Sequence, residues 1–322
     1  MEATQSVPAA AQPLPVAVAV ISFNAREVLQ ACLDSVMAAG AVETVVVDNA
    51  STDASAKMVR QRFPTVRLVA NDANRGYGAA ANQAINACSS AVVLLLNSDT
   101  VLRPDALRAL GAYLRAHPRA GVAGPGLVHP DGSLQRSTYP FPSAADTFLG
   151  ESGLHVALRA VPVLRERFLR TWSHDRSRPV PWVLGAALAI RRTAWAEVAG
   201  FDEGYFMYGE EVDLCRRLAA AGFETHYAPV TTVVHLGGAS TARAPVAMLR
   251  EFIVSKRRYL RRHDSRCAGI RLLMMLQTIY VARLARDAVR LRLARDDDER
   301  RQLHRSVTGW RAILAERALW RL

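Results

Sequence analysis

VAVAVISFNAREVLQACLDSVMAAGAVETVVVDNASTD, Val16 to Asp53, is the stretch whose reading decides the fold. It opens on a continuous apolar run, Val16 to Ser22, which reads as a buried strand. After Asn24 the apolar positions Val28, Leu29, Cys32, Leu33 and Val36 recur at helical spacing, and Gly40 ends that helix. A second apolar strand, Glu43 to Asp48, runs into a polar turn, Asp48 to Asp53, suited to capping the next helix. The alternation continues downstream. Val66 to Val69 is a third strand, Ala79 to Cys88 a helix of small residues, and Ala91 to Leu96 a fourth strand; Pro104 then starts another helix. Strands that are unbroken apolar runs belong to sheets covered on both faces. The prediction is therefore an α/β protein with an open, mostly parallel twisted sheet flanked by helices.

Polar residues cluster where these strands end: Ser22 and Asn24, Asp48 and Asn49, Asn97 and Asp99. Ligands of open α/β sheets bind at those carboxyl ends. There is no GxGxxG and no GxxxxGK[ST], so neither a dinucleotide fold nor a P-loop is indicated. The turn holding Asp48, Asn49, Ser51 and Asp53 offers groups that could hydrogen-bond a pyrimidine base and a ribose, or could simply cap a helix. The segment Asn74-Arg75-Gly76-Tyr77-Gly78, followed by Asn82, opens a helix whose N-terminus and glycines would suit a phosphate. Asp99, in Asn97-Ser98-Asp99, suits a hard divalent ion bridging a diphosphate, or a helix cap before Pro104.

The second half carries another concentration of chemistry, Pro181 to Ser240. Trp182 to Ile190 reads as one apolar strand-like run, ending at Arg191-Arg192. A loop then mixes aromatics and acids from Phe201 to Glu211, and a helix from Glu211 carries Leu214, Leu218 and Ala221 on one face and stops at Gly222. A strand from Thr225 to Val234 delivers His235 to a glycine loop, Gly237-Gly238. Glu210, Glu211 and Asp213 at a helix start could be ordinary dipole-favoured acids, with Asp213 pairing to Arg216 or Arg217. Beside Tyr205, Phe206 and Tyr208, however, a carboxylate is poised for a raised pKa and general-base work.

Composition narrows the class. Half of the 322 residues are apolar and 22% charged, as in ordinary globular proteins. The four cysteines, Cys32, Cys88, Cys215 and Cys267, show no metal or disulfide spacing and suit a reducing cytoplasm. Residues 1–14, rich in Ala, Pro and Gln, read as a disordered tail without a signal peptide. No uninterrupted apolar run is long enough to span a membrane. The net charge of +12 is uneven: residues 245–322 hold nineteen Lys/Arg against eight Asp/Glu. Between Gly132 and Pro179 periodicity fades, which suggests an acceptor-side loop.

Taken in order, VVVDNASTD, NRGYGAAANQAI, LLLNSDT, WVLGAALAIRR, GFDEGYFMYGEEVDLCRRL and VVHLGGAS resemble the inverting glycosyltransferases of family 2, in their bacterial rhamnosyltransferase-like branch. That resemblance covers about residues 15–240 and implies the Rossmann-like GT-A fold. It places the donor nucleotide at Ser22, Asn24, Asp48, Asn49, Ser51, Asp53, Asn74, Gly76, Tyr77, Gly78, Asn82 and Asn97. Mg²⁺ or Mn²⁺ would sit at Asp99 and His235. Glu211 would be the base, with Asp213 a substitute, and Trp182, Gly185, Tyr205, Phe206, Tyr208 and Glu210 would meet the acceptor. Two departures stand out: Asn97 replaces the first acid of an Asp-x-Asp motif, and Glu211 stands where the family commonly has Asp.

The expectation is metal-dependent transfer of a sugar from a nucleotide diphosphate, dTDP-rhamnose or a UDP-sugar, to a lipid-linked or polysaccharide acceptor. Residues 241–322 would form a basic amphipathic helical extension. Its stripe of Ile270, Leu272, Leu273, Met274, Met275, Leu276, Ile279, Tyr280, Val281 and Leu284, flanked by arginines, would attach the protein peripherally to the anionic inner face of the cytoplasmic membrane. Packing on the enzyme or a homo-oligomer interface is the other use of such a stripe. A sugar-nucleotide pyrophosphorylase would need a glycine-rich basic loop that VISFNAREV does not supply. A nucleic-acid-binding protein fits poorly with arginines interleaved among Leu, Met and Val. A non-catalytic, membrane-associated nucleotide-sugar scaffold would be expected to lack Glu211, Asp99 or His235, and all three are present.

Overall fold

The computed structural model describes residues 12–143, 147, 151, 172–237 and 245–320. The alternation that starts at Val16 is there: β1 (Val16–Ser22), α1 (Arg26–Ala38), β2 (Thr44–Asp48), α2 (Ser55–Arg62), β3 (Arg67–Ala70), α3 (Tyr77–Asn86) and β4 (Val92–Asn97). The four strands pair in parallel in the order β3-β2-β1-β4. Side chains of a strand alternate between faces. Val16, Val18 and Val20 therefore enter one core with Leu29, Leu33 and Val36 of α1, while Ala17, Ala19 and Ile21 enter another with Ala80, Ala84 and Ile85 of α3. Both sets need apolar residues, which is why β1 is an unbroken apolar run.

Beyond β4 the chain forms β5 (Thr100–Leu102), α4 (Ala106–Ala116), β6 (Ala120–Val128), β7 (Leu134–Gln135), β8 (Thr138–Tyr139), β9 (Arg178–Val180), β10 (Trp182–Val183), β11 (Ala187–Arg191), α5 (Arg192–Glu197), α6 (Glu210–Ala220) and β12 (Glu224–His235). The sheet extends from β4 as β11-β6-β12-β5. β11 lies antiparallel to both neighbours, β12 is parallel to β6, and β5 is antiparallel to β12. The run Trp182 to Ile190 is thus two strands rather than one. β10 pairs with β8 in a separate two-stranded sheet, and β11 enters the main sheet. At the bend between them Leu184 N donates to Ser137 O and Asn97 N donates to Ala186 O, so Gly185 is turned toward Glu211.

The boundary expected at residue 240, most of the tail 1–14, Gly238, and much of the loop between Gly132 and Pro179 fall outside the described residues. After them come α7 (Pro245–His263), α8 (Arg266–Leu293) and α9 (Asp297–Ala315). Ile253, Tyr259 and Leu260 of α7, Leu272, Leu276 and Tyr280 of α8 and Ile313 of α9 share a core that closes on Tyr205 and Val212. The stripe expected on α8 is accordingly divided: Leu272, Leu273, Leu276 and Tyr280 are buried, whereas Met274 and Val281 are exposed. By length and composition α8 could cross a membrane, with a mean hydropathy of 1.3 over its best window and a third of that window buried. The acidic run Asp296 to Glu299 starts a helix. Asp296 accepts from Asp298 N and Glu299 N, and the acids lie in the first turn of α9, where they favour the helix dipole. That helix ends at Ala315.

Candidate active site

The carboxyl ends of β1, β2 and β4 open into a cavity of about 270 Å³. Its walls are Ile21, Phe23, Asn49, Asn74, Tyr77, Asn97, Ser98 and Asp99 from the first half of the chain. Leu184, Gly185, Ala186, Met207, Tyr208, Glu210, Glu211 and His235 complete it from the second. A second cavity of about 170 Å³ adjoins it, sharing Leu184, Tyr208 and Glu211 and lined also by Trp182, Phe252, Lys256 and Tyr259. Together they reach the size of ordinary ligand sites, about 300–1,000 Å³.

Asp99 and His235 meet across the antiparallel pairing of β5 and β12, with His235 Nε2 3.4 Å from Asp99 Oδ1. The other ring nitrogen, Nδ1, lies 2.9 Å from Gln135 Oε1 on β7. In the tautomer that carries its proton on Nδ1, that nitrogen donates to the glutamine oxygen and the Nε2 lone pair faces the carboxylate. Two electron-pair donors facing each other suit a cation between them, oriented by the glutamine behind. Among the described residues no cluster of three or more His, Cys, Asp or Glu could hold a metal. The donor set therefore fits an ion that takes its remaining ligands from substrate phosphate and water.

Glu210 and Glu211 begin α6, 6% and 9% exposed, and the Oε2 of each lacks a hydrogen-bond partner. Burial first, then the charge of Glu211, holds the Glu210 carboxyl well above the usual glutamate range. Burial raises Glu211 too. Backbone N–H groups at Glu211, Gly209 and Gly185 and the charge of Lys256 offset part of that rise. Burial, then the charges of Glu210, Glu211 and Asp99, pushes the Tyr77 phenol well above its ordinary value. Its hydroxyl donates to Gly185 O at 3.1 Å. Tyr208 precedes the acids at φ +68° and Gly209 at φ +86°, so the backbone is strained where the loop enters the helix.

Several residues singled out from the sequence stand elsewhere. Asp213 is fully buried, lines neither cavity, and is held by Arg217 and His263, each at 2.7 Å, with Arg262 at 3.5 Å. Ser22 and Asp48 are buried and do not line the cavity, with Ser22 Oγ and Asp48 Oδ1 unpartnered. Asn24, Ser51 and Asp53 join two loops: Asn24 N donates to Ser51 Oγ, and Asp53 accepts from Arg26 N and Ser55 N. Gly76 and Gly78 are not in the cavity wall. The first N–H of α3, on Tyr77, donates to Phe206 O at 2.8 Å, so that backbone donor serves the aromatic loop instead of a phosphate. Asn82 faces another cavity and clamps Phe201 by both its N–H and its carbonyl. Tyr205 is buried against Val212, and Phe206 contributes its backbone. Trp182 lines the smaller cavity.

Gln135, Lys256, Phe252 and Tyr259 went unnoticed in the sequence. Gln135 sits in the aperiodic stretch after Gly132, and the other three lie on α7, whose basic composition pointed to a membrane. A Lys256 three residues from an apolar Ile253 and Tyr259 was the available signal, and spacing alone does not say that α7 returns to the sheet.

Comparisons with known proteins now bear on this geometry. The chain is 36% identical over 223 residues to an N-acetylglucosaminyl-diphospho-decaprenol L-rhamnosyltransferase of Mycobacterium tuberculosis, covering 65% of this chain and 71% of that one. It is 45% identical over 56 residues to the rhamnosyltransferase WbbL of Escherichia coli, 17% of this chain and 21% of the other. Its fold matches a Pyrobaculum calidifontis mannosyltransferase solved with GDP-mannose and Mn²⁺ at a TM-score of 0.57 and 17% identity, over 96% of this chain and 89% of that one. The model of the family described as Glycosyltransferase like family 2 matches residues 13–253, from the lead into β1 to the middle of α7. The protein is thus a glycosyltransferase with a GT-A sheet, and the chain belongs to this family.

Proposed function

We propose that the protein transfers a sugar, with inversion, from a nucleotide diphosphate to a lipid-linked acceptor in the synthesis of a cell-surface glycan. dTDP-rhamnose is the favoured donor, in keeping with the rhamnosyltransferases it resembles. The observation that carries this reading is the pair of buried, unpartnered glutamate oxygens beside Asp99 and His235 in one cavity. Asp99 and His235 would hold Mg²⁺ or Mn²⁺, which when bound stabilises the charge developing on the diphosphate leaving group. Asn74 and Asn97 bring amide groups to the cavity for the nucleotide, while the Asn49 amide is taken up by Asn74, Gly76, Asn71 and Arg75 and shapes that wall. Glu211, at the junction of the two cavities, takes the acceptor hydroxyl's proton as that oxygen attacks the anomeric carbon from the face opposite the diphosphate. Glu210 stays protonated beside it, because two adjacent buried carboxylates do not both ionise readily.

The test is Glu211→Gln, which keeps shape but cannot accept the proton. Turnover should fall on the order of 10²–10⁴, while calorimetric affinity for the nucleotide with Mn²⁺ stays within twofold. Turnover within a few-fold of wild type would remove Glu211 from the mechanism.

Attachment to the inner face of the membrane is proposed through the exposed side of α8, where Met274, Val281, Val289 and Leu293 stand among Arg271, Arg286 and Arg290. Met274→Asp with Val281→Asp, which leaves the buried side intact, should abolish flotation with anionic vesicles. Flotation equal to wild type would refute it.

A further inference from the structure

Tyr77 opens α3, yet the groups it holds lie far along the chain. Its N–H donates to Phe206 O at 2.8 Å, in the loop that leads into Glu210 and Glu211. Its hydroxyl donates to Gly185 O at 3.1 Å, at the bend between β10 and β11. Gly185 in turn backs the Glu211 side chain. A Cβ built on Gly185 would stand 3.7 Å from Glu211 Cβ, Cγ and Cδ, so the glutamate packs directly on that stretch of backbone. With those of Gly209 and Glu211 itself, the Gly185 N–H steadies the Glu211 carboxylate. The chain is tied on either side of Gly185, by Leu184 N to Ser137 O and by Asn97 N to Ala186 O. The Tyr77 hydroxyl completes the hold at the carbonyl between them.

The phenol has no freedom for another task. Burial, then the charges of Glu210, Glu211 and Asp99, keeps it protonated, so it does not act as a base. A phenol has a single O–H to give, and here it goes to Gly185.

We infer that Tyr77 is a positioning residue for the base: its hydroxyl fixes the β10–β11 bend on which the Glu211 side chain rests. The inference rests on the transferase reading above, in which Glu211 takes the acceptor's proton. A base slightly out of line slows the chemical step without weakening the binding of either substrate. Tyr77→Phe keeps the ring and the backbone bond to Phe206 and leaves the Gly185 carbonyl without its donor.

The experiment compares the full-length chain with its Tyr77→Phe variant in two ways, after thermal unfolding has checked that the variant is folded. The first needs no substrate. Carboxyl-¹³C glutamate is followed by NMR across pH in a Glu210→Gln background, so that one buried carboxyl of the pair titrates, and Glu211→Gln assigns its signal. Glu211 faces Lys256 of α7, Tyr208 of its own loop, and Tyr77 with Asp99 across the cavity, all but the Tyr77 hydroxyl common to both proteins. The Glu211 midpoint should rise by about 0.5–1 pH unit in Tyr77→Phe, as the Gly185 N–H is held less firmly against the carboxylate. The second is turnover with dTDP- and UDP-sugars. There kcat should fall about tenfold, while KM for donor and acceptor and calorimetric affinity for UDP with Mn²⁺ stay within twofold. An unchanged Glu211 titration overturns the inference, as does an unchanged kcat in an active enzyme or a loss confined to nucleotide affinity. A wild type that transfers no sugar fails the transferase reading instead, and the titration alone then decides whether Tyr77 holds Glu211.

Discussion

Replacing Gly76 with alanine tests what the glycines ahead of α3 are for. Gly76 has φ +82° and ψ 167°, a region that residues with a Cβ scarcely enter and that costs about 1–3 kcal/mol where they do. The new Cβ would lie 2.6 Å from Phe206 O and 2.9 Å from Phe206 Cα. Both atoms are backbone, so no side chain can swing aside. Relief means moving the loop and stretching the bond from Tyr77 N to Phe206 O, worth about another 1 kcal/mol. The expected loss is on the order of 2–4 kcal/mol, or roughly 3–6 °C in Tm for a chain of this length. Turnover should fall as well, because Met207 and Tyr208 follow Phe206 into the cavity wall. Gly78→Ala is the control: its Cβ would meet Asp202 O and Phe201 Cβ at 3.5 Å, ordinary contact, inside a helix that favours alanine by up to about 1 kcal/mol. Thermal unfolding and calorimetric nucleotide binding, run on both variants, decide the matter. If the glycines cradle phosphate, both substitutions weaken nucleotide binding and leave Tm alone. A Gly76→Ala protein melting within one degree of wild type would refute the loop-docking argument.

Two other predictions follow from the charges in the cavity. Glu210 and Glu211 have pKa values raised above those of an unfolded glutamate, so the stability they contribute is present below about pH 4.3 and is lost as pH rises through the folded values. Glu210→Gln should thus gain in Tm relative to wild type with increasing pH, by a few degrees at pH 8, and a constant difference across pH 5–8 would contradict it. Gln135→Ala frees His235 Nδ1 and should lower Mn²⁺ affinity in the presence of UDP by about 10–100-fold without altering Tm appreciably. Unchanged calorimetric affinity would show that Gln135 does not orient the ring.

The first half of the fold was legible because each strand from β1 to β4 is a separate apolar run with a helix between, although the return of β4 to the side of β1 rather than β3 is not written in any one run. The second half was less so. Leu184 to Ala186 looks as apolar as the strands beside it, and only the paired β8, which draws Trp182 and Val183 into another sheet, shows that the chain bends there. Of the donor residues proposed from the turns, Asn49, Asn74, Tyr77 and Asn97 line the cavity, while Asn24, Ser51 and Asp53 hold loops together. Asn, Ser and Asp serve both purposes with the same atoms, so residue type does not separate them. The α7 wall was invisible for a different reason. A basic amphipathic helix looks alike whether its apolar side meets lipid or Tyr205 and Val212.

The three acids at the start of α6 show where composition stops and packing decides. Glu210, Glu211 and Asp213 are all at most 9% exposed, all within one turn, and all favourable at a helix N-terminus. Asp213 is nonetheless satisfied twice over, by Arg217 on its own helix and by His263 on α7. An acid so engaged fixes α7 against α6, and its removal leaves Arg217 and His263 without their partner. Glu210 and Glu211 each keep an oxygen that no protein group meets, at a penalty of about 1–3 kcal/mol for a buried polar atom left unpaired. Ser22 Oγ and Asp48 Oδ1 are in the same condition at the ends of β1 and β2. These four atoms lie at strand ends and a helix start around one cleft, as expected of groups whose partners arrive with substrate, whereas Asp105, Thr231 and Tyr280 carry unmet atoms elsewhere in the fold. His263 lies fifty residues after Asp213, so nothing in the local run GEEVDLCRRL could have said which of its acids was already taken.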